Sequence, residues 1–128
     1  DANGGLRFSA ASPLRRTISE QSSATMRGML STARAVLNQR MPDKDRPGYD
    51  VGGKTGTSET LINGSYTMDE TVATYIGYGG ANRPEYVIMV RVAAPGKRKN
   101  LQGNIHAGPI FTDISNWMID YMKLAPKG

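Results

Sequence analysis

Cysteine is absent from the chain, which excludes disulfide frameworks, thiol catalysis and zinc–thiolate sites and leaves an oxidising compartment open. There is one histidine, His106, just before Ala107-Gly108-Pro109. Without an orienting carboxylate or a second ligand it supports neither a general base nor a metal site, and it reads as a loop residue. No apolar run approaches the roughly 18–20 residues that span a bilayer. The opening Asp1-Ala2-Asn3-Gly4-Gly5 resembles neither a signal peptide nor an initiator sequence, so the chain is expected to be cut from something longer.

What is present fits one ordinary domain with a modest core. The chain has 128 residues, of which 38% are hydrophobic and 21% charged, with no low-complexity tract, a balance that favours folding over disorder. Sixteen Lys and Arg against eleven Asp and Glu leave a net charge of +5. That excess modestly favours an anionic surface, whether nucleic acid, lipid headgroups or cell-wall polymer, without choosing among them. The basic residues are scattered apart from Lys97-Arg98-Lys99, which follows Pro95-Gly96 and reads as a solvated loop.

Periodicity gives the elements. From Thr17 to about Gln39 the residues Met26, Met29, Leu30, Ala33, Val36 and Leu37 recur at three- and four-residue steps, predicting an amphipathic helix with a methionine-bearing core face. Thr17, with Glu20 three residues on, or Ser19, with Ser22, can cap it, and Met41-Pro42 ends it. The polar stretch from Pro42 to Asp50 reads as a surface connector. Val51 to Ile62 predicts a strand, Asn63-Gly64 a tight turn and Ser65 to Asp69 a loop.

Two antiparallel strands are then expected around Val72 to Tyr78 and Tyr86 to Val92. The second is apolar on both faces until Arg91, which predicts a sheet covered on both sides. Gly108-Pro109 opens a last helix whose stripe of Ile110, Phe111, Ile114, Trp117, Met118, Tyr121 and Met122 is expected to pack on the sheet, anchored by Trp117 and Tyr121. The fold class is therefore α+β: three antiparallel strands flanked by helices.

The one dense motif is Gly52-Gly53-Lys54-Thr55-Gly56-Thr57. Counted from Gly48, it satisfies the phosphate-loop pattern G-x-x-x-x-G-K-[ST]. A phosphate loop must leave a buried strand and enter a helix, yet the upstream flank is Met41-Pro42-Asp43-Lys44-Asp45-Arg46-Pro47 and Asn63-Gly64 breaks the downstream one. No apolar strand ends in an Asp for magnesium. The alternative reading is the Lys-Thr-Gly triad that lies on a strand beside the nucleophile of penicillin-recognising serine enzymes. In that reading Lys54 sets a fixed positive charge in a cleft, Thr55 and Thr57 offer hydroxyl donors, and the Thr57 amide faces a developing oxyanion. A third reading is a plain exposed strand with a solvated lysine.

The surrounding segments resemble the C-terminal region of class B penicillin-binding proteins from about Ser12 to Leu124. "PLRRTISEQSSATMRGMLSTA" is similar to the helix before the triad, "YDVGGKTGTSE" to the triad strand, "ETVATYIGYGGANRPEYVIMVRV" to the following hairpin, and "HAGPIFTDISNWMIDYM" to the last helix. The resemblance implies that residues 1–128 are the C-terminal portion of a transpeptidase domain of the penicillin-binding-protein and serine β-lactamase fold. It further implies peptidoglycan cross-linking in division or elongation. A serine attacks the D-alanyl-D-alanine end of a stem peptide, D-alanine leaves, and an amine takes the acyl group. β-Lactams acylate the same serine.

Carried onto this sequence, the resemblance makes Lys54 and Thr57 the catalytic contributors and Thr55, Gly56 and Thr57 the substrate-binding residues. It implies no cofactor, no metal and no nucleic acid. It implies stem peptide, β-lactams and cell-wall synthesis proteins as partners, with the domain on the extracytoplasmic face of the membrane and anchored by an upstream helix. Serine β-lactamases share the triad, and a noncatalytic cell-wall-binding module and a nucleotide-binding phosphate loop stand as rival functions.

The departures matter. No serine is followed three residues later by lysine, and no Ser-x-Asn occurs, so the nucleophile and its base are not in this sequence. The chain alone is expected to lack transpeptidase activity. The strand Tyr86 to Val92, which meets missing strands in the family, is expected to recruit Gly5 to Ala10 or to pair with another copy through its open edge.

Overall fold

The computed structural model describes residues 15–93 and 100–128, the side chains of Ile62, Met68 and Asp69 excepted. The Lys97-Arg98-Lys99 cluster and the Gly5 to Ala10 segment lie outside the described residues. Helix α1 spans Glu20–Asn38, β1 Asp50–Ile62, β2 Ser65–Gly80, β3 Tyr86–Val92 and helix α2 Gly108–Tyr121, the last preceded by one π-helical turn at Gly103–Ala107. The strands form one antiparallel sheet in the order β1-β2-β3. The α+β class read from the sequence is what the chain adopts.

Of the two candidate caps, Ser19 starts α1: its Oγ accepts from the Ser22 amide at 3.0 Å. Glu20 instead pairs with Arg16. The connector after α1 is stitched down at both ends. Lys44 Nζ donates to the carbonyls of Asn38 (2.8 Å), Gln39 (3.1 Å) and Met41 (2.6 Å), closing the helix C-terminus where orphan carbonyls need a cation. Arg46 pairs with Asp120 of α2, and its amide donates to Asn116 Oδ1 at 3.1 Å.

The stretch Ser65 to Asp69, expected as a loop, is strand. Asn63 and Gly64 both have positive φ, the conformation of a two-residue hairpin turn whose twist matches its strands, and β2 continues directly from it. The polarity of those residues reflects a solvated hairpin end, with a register shift at Glu59/Thr60 separating it from the core half of the pair.

The core gathers Val51, Ala73, Tyr75, Val90, Leu101, Ala107 and Phe111 between the sheet and α2. Three sequence expectations fail here. Met26, Met29 and Val36 of α1 are exposed, and the helix's one buried residue is Arg34, at 1% exposure. On α2 the buried face is Gly108, Phe111, Thr112, Ser115 and Ile119, whereas Trp117 (56% exposed) and Tyr121 (68%) stack on each other, ring centroids 4.7 Å apart, on the outer face. The small Thr112 and Ser115 let α2 approach closely, and a broad apolar stripe cannot show which edge turns inward. Lastly, Ile76, Val87 (69%) and Met89 (64%) are exposed, so among the described residues one sheet face is open around them, although Tyr78 on the same face is buried and donates to the Arg27 carbonyl of α1.

Arg34 holds the layers together. Its Nε and Nη2 donate to Asp45 Oδ2 (2.9 Å) and Oδ1 (2.6 Å), and Nη2 also donates to Thr112 Oγ1 at 2.7 Å. The guanidinium lies 5.2 Å from the Tyr75 ring centroid and 5.0 Å from that of Phe111. Burial alone would lower its pKa, but the hydrogen bond and charge of Asp45 outweigh that and raise it, so the cation persists in the core. Thr112 passes the chain on, donating to the Gly108 carbonyl at 3.1 Å.

Removing one partner of a buried pair leaves an uncompensated charge. We therefore expect Arg34→Ala to cost about 3–5 kcal/mol in chemical denaturation, with most of it recovered in the paired Arg34→Met/Asp45→Leu variant. Equal losses in the two variants would show that the ion pair is not the source.

Candidate functional site

The triad stands on an edge strand. β1 pairs with β2 alone among the described strands, so its other edge carries backbone groups with no strand partner. The register sets Lys54 opposite Ile76, Thr55 opposite Tyr75 and Thr57 opposite Ala73. Gly53 is buried because Tyr75 lies across it: a Cβ there would sit 2.6 Å from the ring and 2.7 Å from the Ile76 carbonyl. The glycine thus lets the aromatic pack flat beneath the strand.

Lys54 is exposed, and its Nζ donates to the Thr55 carbonyl and Oγ1, both at 3.2 Å. It has no acidic partner among the described residues, so the cation is available to a ligand. Thr57 Oγ1 accepts from the Gly103 amide at 3.2 Å, which orients the hydroxyl and leaves its own proton free to donate. The π-helical turn reaches this point because Gly103 lies flat on the sheet. A Cβ there would be 2.6 Å from the carbonyls of both Gly56 and Thr74.

A cleft of about 430 Å³ lies between α1 and the triad strand, lined by Val36, Leu37, Arg40, Lys54, Thr55 and Asn104 and floored by Tyr75. Arg40 and Asn104 escaped the sequence reading. Arg40 continues the Ala33, Val36, Leu37 spacing by one more step, and that continuation was the available signal. His106, expected in a loop, lies in the π-helical turn Gly103–Ala107, where the Gln102 amide donates to its Nδ1 at 2.9 Å. The Tyr75 hydroxyl is buried without a hydrogen-bond partner, and that burial pushes its pKa up despite the nearby Arg34 charge.

The phosphate-loop reading is overturned here. Gly52 to Thr57 lie within β1, and the chain turns from β1 into β2 rather than into a helix, so the motif does not open a helix. The profile of the penicillin-binding protein transpeptidase domain matches residues 7–116. The chain belongs to that family. It is 33% identical over 79 residues to the probable peptidoglycan D,D-transpeptidase PenA of Neisseria flavescens, covering 62% of this chain and 20% of that protein. It is 31% identical over 114 residues to penicillin-binding protein PbpB of Mycobacterium tuberculosis, covering 81% of this chain and 16% of that one.

Among solved structures, penicillin-binding protein 3 of Mycobacterium tuberculosis superposes with a TM-score of 0.65 at 32% identity, covering 88% of this chain and 27% of that one. The transpeptidase domain of Burkholderia pseudomallei penicillin-binding protein 3 shares the fold, with a TM-score of 0.68 at 24% identity over 89% of this chain and 34% of that one. The chain therefore spans a fifth or less of the curated relatives' length.

In this transpeptidase-family chain the contact of Gly103 with the sheet is the most exacting feature near the triad. Gly103→Ala should lift the turn from backbone that cannot yield, costing about 1–3 kcal/mol in thermal melts. Thr57→Val, which removes one hydrogen bond, should cost about 0.5–1.5 kcal/mol. A neutral Gly103→Ala would mean that the turn does not rest on the strand.

Proposed function

We propose that this chain is the triad-bearing C-terminal portion, residues 1–128, of the transpeptidase domain of a class B peptidoglycan D,D-transpeptidase. The observation that carries the reading is an exposed Lys54, without an acidic partner or a strand on its outer edge among the described residues, which with Thr55 opens on a cleft and is followed by the turn-held Thr57 hydroxyl. The names of its relatives support it, as does the solved complex of Mycobacterium tuberculosis penicillin-binding protein 3 with ampicillin.

In this mechanism a serine upstream of Asp1 bonds to the carbonyl carbon of the penultimate D-alanine. The terminal D-alanine leaves with a proton, and an amine on a neighbouring strand then displaces the serine. Lys54 supports the serine's hydrogen-bond network and draws in the terminal carboxylate, a cation placed where charge must be held. Thr55 and Thr57 bind that carboxylate, Gly56 keeps the strand face clear, and the Thr57 amide supplies half of the oxyanion hole. The domain would work on the extracytoplasmic side of the membrane, anchored by an upstream helix, among other cell-wall synthesis proteins.

β3 pairs only with β2 among the described residues, and its open edge is proposed to recruit Gly5 to Ala10 or to pair with a second copy. Sedimentation of the chain alone checks this. Protected β3 amides are expected, in a monomer that recruits Gly5 to Ala10 or in a dimer, whereas a monomer with freely exchanging β3 amides contradicts it.

Intact-mass detection of a penicillin adduct tests the main reading. The polypeptide extended upstream through its serine should gain the mass, the 128-residue chain should not, and Lys54→Ala should slow the reaction by about 10²–10³-fold. Acylation of the short chain by itself, or none in either form, would refute the assignment.

A further inference from the structure

Two consecutive glycines precede Lys54, and an aromatic ring of β2 lies against each of them from opposite faces of the sheet. Gly52 pairs with Tyr78, and a Cβ on Gly52 would stand 2.5 Å from the Tyr78 ring and 2.6 Å from its hydroxyl. Neighbouring residues of a strand project to opposite faces. Gly53 therefore meets a different ring on the other side, that of Tyr75, 2.6 Å from where its Cβ would be. Tyr75 leans there from its place opposite Thr55 because the residue opposite Gly53 is Gly77, which has no side chain in the way. Both rings are out of solvent, Tyr75 at 0% and Tyr78 at 6% exposure.

Helix α1 fixes both rings. The Tyr78 hydroxyl donates to the Arg27 carbonyl at 3.1 Å, and the Arg34 guanidinium lies 5.2 Å from the Tyr75 ring centroid. Arg27 and Arg34 are about two turns apart, on one side of α1. Among the described strands β1 is held by β2 alone. Ladder hydrogen bonds keep such an edge strand in the sheet but resist its tilting out of plane only weakly. Close-packed rings on both faces resist that tilt, because neither can yield by less than a steric clash.

We infer that Tyr75 and Tyr78 are positioning residues that grip the Gly52-Gly53 backbone from both faces and so set where the next residue, Lys54, presents its amine. The inference rests on the acyl-transfer reading of the triad. Neither ring takes part in the chemical step, and both act through Lys54.

The test uses the polypeptide extended through its serine and follows penicillin uptake in two quantities, the fraction of sites that react and the rate constant of those that do. Loss of folding lowers the first, and loss of position lowers the second. Tyr78→Leu should lower the rate constant by about 10- to 100-fold, the effect of a group displaced by about an ångström. Tyr78→Phe, which keeps the ring, should recover most of it. Gly52→Ala should slow wild type, where its methyl meets the ring, and leave Tyr78→Leu no slower, because there the methyl enters space the ring has left.

Independent losses from Gly52→Ala and Tyr78→Leu overturn the inference. So does a Tyr78→Leu variant with fewer reacting sites and an unchanged rate constant, which would mark a role in folding alone. If wild type takes up no penicillin, the acyl-transfer reading fails, and amide exchange in the 128-residue chain judges the grip by itself. Faster exchange across Gly52 to Thr55 in Tyr78→Leu, with α2 unchanged and Tyr78→Phe like wild type, supports the grip. Unchanged exchange there, or an increase throughout the chain, sinks it.

Discussion

A single guanidinium under the sheet fixes how the layers of this chain meet. Arg34 comes from α1, its carboxylate partner Asp45 from the connector, its hydroxyl partner Thr112 from α2, and one aromatic neighbour, Tyr75, from β2. Each contact has a direction, unlike the burial of an aliphatic side chain, so the group specifies one arrangement of four segments. Such a centre carries a large desolvation cost, offset here by bidentate pairing and by rings on the cation's face. One nitrogen, Nη1, still lacks a partner.

The consequence reaches the triad through Tyr75. Its ring contacts Phe111 at a 4.6 Å centroid distance and lies across Gly53, directly under the strand that bears Lys54. The strand is supported from below by an aromatic that Arg34 holds, and at Thr57 by the backbone of the Gly103 turn. Among the described residues no strand pairs with its outer edge. Rigid support on one side with unpaired backbone on the other is what an extended peptide needs in order to dock beside a fixed cation.

Much of this was legible locally. The alternation of Val72 to Tyr78, the Asn63-Gly64 turn and the Gly108-Pro109 helix start are short-range patterns, and the flanks of Gly52 to Thr57 already argued for a strand over a phosphate loop. The burial of Arg34 was not legible, because its partners lie 11 and 78 residues away and helical periodicity favours the methionines over a charged residue. The outward turn of Trp117 and Tyr121 was hidden for a related reason. α2 is apolar around much of its girth, and the choice of buried face falls to Thr112 and Ser115, whose hydrogen bonds to Arg34 and Tyr86 are non-local. Arg40 continues the Ala33, Val36, Leu37 spacing, a signal that a reading of apolar periodicity passes over because the residue is charged.

The central claim is that a buried ion pair outside β1 governs the order of the triad strand. Hydrogen exchange of the wild type and Arg34→Ala, followed amide by amide, tests it most directly. The account predicts that Gly53 to Thr57 lose protection together with Phe111 to Ser115, although Arg34 makes no hydrogen bond to β1. Loss confined to α2 and the connector, with β1 as protected as before, would contradict it.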